Sequence, residues 1–172
     1  RVVEREKFVE VFKDLYLNSS DGATHSASWF ALRKWKADCP AIKPVGEAPK
    51  GRRWFVNRHD MTMLEIPAGT FMMGDEDKEA YQAQPHHKVT LTHSFFMSDR
   101  EVWLDLFQKF VDDPDYPAAE KPAGWADEYK VNRATGDTAV VASWFDAVLF
   151  CNWLNHKEGK ETSYKRTGTK KV

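Results

Sequence analysis

The sequence predicts a mixed α+β fold: a pair of helices, a linker, then a loop-rich unit of short strands with two capped helices. Three observations lead there. Apolar residues recur at helical spacing through the first 37 positions. The stretch "PAIKPVGEAPKG" (Pro40 to Gly51) then interrupts the pattern with three prolines and two glycines. Beyond it, short alternating runs mix with two helical stripes and a second proline-rich stretch.

The elements follow in order. Phe8, Val11, Phe12 and Leu15 place a helix over residues 1–17. "NSSDG" (Asn18 to Gly22) breaks it with strong turn formers. A second helix fits Ala23 to Ala37, with Ala27, Phe30, Ala31 and Lys34 on one face and Trp29, Leu32 and Trp35 near another. Together they predict an αα-hairpin of repeat-unit size, which cannot bury its own faces and must pack on something else. The expected division is a hairpin over residues 1–39, a linker over 40–51 and a second unit over 52–172.

In that second unit "RRWFVN", "MTMLEIP" and "GTFMMG" read as short strands, and His87 to Phe96 as one longer strand. Asp99 or Ser98 is expected to cap a helix from Arg100 to Val111, with Trp103, Leu106, Phe107 and Phe110 as its apolar stripe. Residues 112–139 are loop-rich, and "TAVVAS" reads as a further strand. Ser143 then opens a helix, with Asp146 as its capping-box acid. Its expected stripe is Trp144, Ala147, Val148, Cys151 and Leu154.

Composition bounds the function. With 42% hydrophobic and 30% charged residues, the chain is rich enough in apolar groups to build a core. Seven tryptophans and eleven phenylalanines fill such a core with few regular elements. A net charge of -1 supplies no attraction for nucleic acid or an anionic membrane. No apolar run approaches the ~20 residues needed to span a bilayer. The charged first residues do not form a secretory signal, and the missing initiator Met implies that the chain begins inside a longer one. Two cysteines allow one disulfide at most and exclude a disulfide-dense scaffold, which leaves the cytosol as the default compartment.

The candidate site residues read as structural. On a continuous strand His87 and His93 share a face, about 20 Å apart, with His86 on the other, so this strand alone cannot gather a zinc ion. "DEDKE" (Asp75 to Glu79) lacks EF-hand spacing and reads as a solvated loop. Cys151 falls on the apolar stripe of its helix, where burial makes a thiol inert; Cys39 lies before the linker and is expected to be exposed. Asp146 is accounted for as a cap, and Asp99, Arg100 and Glu101 as an internal ion pair or cap. Phosphate-loop, dinucleotide-binding, serine-elbow and zinc-helix motifs do not occur in the sequence.

The motifs nevertheless form an ordered series. "MTMLEIPAGTFMMGD" precedes "QPHHKVTLTHSFFMSDREVWLDLFQKFV", and "TAVVASWFDAVLFCNWLN" follows. From residue 61 to about 156 this resembles the formylglycine-generating enzyme, or sulfatase-modifying factor, family. Phe150 stands where that family usually has Tyr, Trp103 where it has a small polar residue, and Gln84 where it has an acid. The resemblance implies an irregular C-type-lectin-like α+β fold, here truncated and preceded by the hairpin. It implies an intact protein that oxidises a substrate cysteine, in a sulfatase-like protein, to formylglycine with copper and oxygen. Structural calcium is implied as well.

The family's later R-L-P-T-E-A-E-W-E and N-V-W-E-W stretches and its reactive cysteine pair have no counterpart here, and Cys39 and Cys151 do not match that pair. No catalytic, cofactor-binding or metal-binding residue is therefore carried onto this chain, and the 172 residues alone are expected to be inactive. The alternative is a non-catalytic lectin-like module binding protein or carbohydrate. The hairpin is similar to helical segments that precede this domain in large multidomain bacterial proteins, some carrying a kinase.

Overall fold

The computed structural model describes residues 2–76, 85–123, 125, 136 and 138–165. They belong to two units, one running to Arg100 and the other from Glu101 onward.

The first unit opens with helix α1 (Val2–Asn18). Asp21 caps the next helix, α2 (Gly22–Lys34): its carboxylate accepts the Thr24 backbone N–H at 2.8 Å and the Thr24 hydroxyl at 2.9 Å. These bonds hold the Asp21 carboxyl below its usual value. At the other end of α2 the Lys36 N–H donates to Arg33 O and the Ala37 N–H to Leu32 O. This double closure requires a left-handed residue, and Lys36 takes that place with φ 52. The two helices meet through Phe8 and Phe12, which both edge onto Trp35.

Strands β1 (Trp54–Val56), β2 (Thr62–Ile66) and β5 (Phe95–Ser98) form an antiparallel sheet in the order β1-β2-β5, and β3 (Gly69–Met73) pairs with β4 (His87–Leu91) in a second. Asn57 shapes the β1–β2 turn, its side-chain oxygen accepting the N–H groups of His59 and Met61. The single strand expected over His87 to Phe96 is in fact two, β4 and β5, lying in different sheets. The register shows why. Ile66 pairs Phe95 and Gly69 pairs Leu91, so both sides of the ribbon break at one level. Pro67 stands in that break; it has no N–H to give a ladder.

The second unit holds α3 (Leu104–Asp112), a short 3₁₀ turn (Ala118–Glu120) and α4 (Trp144–Lys157). Helix α3 starts four residues later than the sequence implied, and neither Ser98 nor Asp99 caps it. Backbone replaces the side-chain cap: the Leu104 N–H donates to Thr138 O and the Asp105 N–H to Gly136 O. "TAVVAS" is accordingly not a strand but a single bridge, Ala139 to Trp103. Leu106, Phe107 and Phe110 are buried as expected.

Helix α4 carries the expected capping box between Ser143 and Asp146. It ends in a double closure at Gly159 (φ 67), where the Gly159 N–H meets His156 O and the Lys160 N–H meets Asn155 O. Its buried face is only partly the expected one: Val148 is buried as expected, but Leu149, Phe150, Asn152 and Trp153 join it, while Trp144 is 65% exposed. The rings decide this rotation. Phe150 lies 5.4 Å from Phe107 and 5.9 Å from Phe110, and Trp153 lies 5.8 Å from Phe110. Each such pair adds about 0.5 to 1.5 kcal/mol beyond area burial.

Lys36 is the weak point of the hairpin, because a side chain in the left-handed region costs about 1 to 2 kcal/mol. Glycine there relieves that cost against a smaller loss of unfolded-state restriction. Lys36→Gly is expected to raise stability by about 0.5 to 1 kcal/mol in urea unfolding; unchanged or lower stability would count against this account of the cap.

Candidate functional site

Two buried polar centres stand out, one in each unit. The first lies where α1 ends. The last carbonyls of a helix have no partners within it, and here other segments supply them. Tyr16 O is 2.6 Å from His25 Nδ1, and Leu17 O accepts from the Arg52 guanidinium at 2.8 Å. In the loop beyond, Ser19 O accepts from Trp54 Nε1–H at 2.8 Å and Ser20 O from the Arg53 N–H at 2.9 Å.

A carbonyl only accepts, so His25 Nδ1 carries the proton and Nε2 the lone pair. The ring is wholly buried, stacked 4.6 Å from Tyr16 and 3.5 Å from Trp54, and Arg52 covers Trp54. Burial pushes His25 below the ordinary histidine value; the Tyr16 carbonyl and Asp99 oppose that shift, while Arg100 and Arg52 add to it.

Asp99 and Arg100 do form the expected ion pair, with contacts of 2.7 and 2.8 Å. Asp99 also accepts from Ser26 on α2 at 2.8 Å, and Arg100 lies 3.7 Å over the Trp29 ring. A Cβ on Gly22 would come within 2.8 Å of Leu64, so the start of α2 lies hard against β2.

The second centre is Asp113, just past α3. Its carboxylate accepts from Trp153 Nε1–H at 2.7 Å, from Lys157 at 3.0 Å and from the Asp115 N–H at 3.0 Å, and Lys121 donates to its carbonyl. The Trp153 bond above all, then the Lys157 contact, holds the carboxyl at about 2. At neutral pH this group is a satisfied anion that ties α3 to α4. It has no proton to give and little affinity for one. Beside it Tyr116 meets the His156 ring at 5.3 Å, and burial raises the Tyr116 phenol.

The residues weighed from the sequence are dispersed over local partners. His86 lies 3.6 Å from Glu76, His87 Nδ1 2.6 Å from Pro85 O, and His93 Nδ1 3.0 Å from the Thr92 hydroxyl. His93 stands beyond the end of β4, so the shared-face argument for it and His87 does not apply. Residues 77–79 of the acidic run, and Gln84, lie outside the described residues. Asp146 serves its capping box. Cys151 is exposed rather than buried, because α4 turns Phe150 and Trp153 inward instead; Cys39 is half-buried. Desolvation by their surroundings nonetheless pushes both thiols up. Among the described residues no three His, Cys, Asp or Glu side chains gather as metal ligands.

Neither centre was singled out from the sequence. Trp153 and Lys157, four apart on one helix, could have signalled a shared acceptor, though not that it is Asp113. His25 depends on Tyr16 and Trp54, which no local pattern links.

Each unit is rich in aromatic residues and built round its own buried polar centre, and helices and small sheets together make the fold mixed α+β. The family described as Sulfatase-modifying factor enzyme 1-like domain matches residues 55–166, and the chain belongs to it. Among solved structures, that of PvdO from Pseudomonas aeruginosa is similar, at 24% identity and a TM-score of 0.44, over 70% of this chain and 47% of that one. The chain thus spans under half the length of that protein. No curated protein matches the chain.

Asp113→Ala removes the hydrogen bond to the buried Trp153 N–H and is expected to cost about 1 to 3 kcal/mol, with Asp113→Asn milder. Because the folded value of Asp113, about 2, lies below the ordinary 3.8, its contribution is complete above that ordinary value and lost as pH falls toward 2. Acid titration of the wild type and Asp113→Asn, followed by tryptophan fluorescence, checks this; identical acid midpoints would refute the assignment.

Proposed function

We propose that these residues form the structural frame of a sulfatase-modifying-factor domain whose intact form oxidises a cysteine of a sulfatase-like protein to formylglycine. One observation supports the reading. Within the matched segment, several residues of the family motifs serve the structure. Ser143 and Asp146 cap α4, Phe150 and Trp153 fill the aromatic core, and Asp99 and Arg100 pair with each other.

The copper implied by the resemblance would be served by two thiolates, the donor set that suits Cu(I). Cys39 and Cys151 do not fit that role: burial pushes each thiol up, away from the thiolate form. No step of the oxidation is assigned to them. In this reading the reactive sulfurs and any calcium ligands belong to other residues, and this segment's part is to hold the frame.

The test is a peptide carrying a sulfatase cysteine motif, incubated with the 172-residue chain, copper and air, then weighed by mass spectrometry. The peptide is expected to remain unmodified. A mass loss matching conversion of its thiol to an aldehyde would show that this segment carries chemistry of its own.

A further inference from the structure

His25 sits where α1, α2 and β1 converge, its ring wholly buried between Tyr16 and Trp54. One nitrogen is engaged with the Tyr16 carbonyl; the other, Nε2, is buried without a hydrogen-bond partner among the described residues. The neutral ring tolerates this, because a lone pair can be left unmet at modest cost. The protonated ring does not, since it adds an N–H with no acceptor among the described residues and a charge inside a buried aromatic stack.

The charges facing it give mixed support. Arg52 lies across Trp54, and Asp99 and Arg100 act on it from the end of β5. Asp99 is already engaged by Arg100 and Ser26. From α1 comes the Tyr16 phenol, which Cys39, Arg100 and Asp99 also influence.

We propose that His25 is an acid-operated clasp, whose protonation releases the α1–α2 hairpin from β1. The direction follows from burial. The folded-state value lies below the ordinary 6.5, so the folded form takes up this proton at lower pH than the unfolded chain does. The stability it contributes is complete above 6.5 and declines as pH falls beneath it. The carboxyl end of α1 and Asp99 both favour the cation, which makes the total loss smaller.

Hydrogen exchange of the full chain at pH 7.5, 6.5 and 5.5, corrected for intrinsic rates, tests the proposal. Amides of Tyr16 to Ser28 are expected to lose protection on acidification, by no more than about tenfold per pH unit for a single proton. Amides of α4 should hold theirs. His25→Asn keeps a side-chain donor without the titration, and His25→Phe keeps the stack; both should flatten the pH dependence. A wild type equally protected at pH 7.5 and 5.5, or a His25→Asn chain with the wild-type slope, would overturn the clasp. Should both variants fail to fold, the His25 ring titration in the wild-type NMR spectrum decides. A midpoint below 6.5 that tracks the loss of protection supports the clasp, and a midpoint at or above 6.5 ends it.

Discussion

A helix that stops inside a protein leaves acceptors that something must meet, and the N-terminal unit is arranged around one such end. Tyr16 and Leu17 on α1, and Ser19 and Ser20 just past it, present carbonyls to His25, Arg52, Trp54 and Arg53. Three of those four donors are consecutive residues running into β1. Satisfying the helix end therefore sets the position of β1, and with it the β2 and β5 strands paired beyond. An unmet buried acceptor costs about 1 to 3 kcal/mol, so a slip of β1 along the hairpin would forfeit several contacts at once.

The second unit meets the same demand with a side chain. Asp113 faces inward among aromatic rings, where an isolated carboxylate would be untenable. Trp153 and Lys157 on α4 make it tenable and simultaneously fix how far along α3 the helix α4 can slide. Ring packing among Phe107, Phe110, Phe150 and Trp153 supplies the area, while the Asp113 bonds supply the register. The rings and the indole N–H bond to Asp113 select the same rotation of α4.

What could be read from the sequence was local. The helical hairpin, the Ser143–Asp146 box and strands β1 to β3 each declare themselves within a few residues. What escaped was set at a distance. The start of α3 depends on carbonyls of Gly136 and Thr138, and the inward face of α4 depends on Phe107, Phe110 and Asp113. The break between β4 and β5 is visible only once Pro67 is seen to lie opposite it. Family membership was legible because it rests on several motifs in order. Several residues of those motifs cap, pair and pack: Ser143 and Asp146, Asp99 and Arg100, Phe150 and Trp153.

The split ribbon also bears on how the first unit assembles. Pairing of β2 with β5 closes a chain segment that contains β3 and β4. Closing that segment as a floppy loop is entropically dearer than closing it after β3 and β4 have zipped together, because the zipped ribbon shortens the span still to be joined. Pro67 makes the two zippers separable, so the distal one can form without waiting for the proximal one. The hairpin of β3 and β4 thus acts as a clip that brings the ends of β2 and β5 within reach of each other.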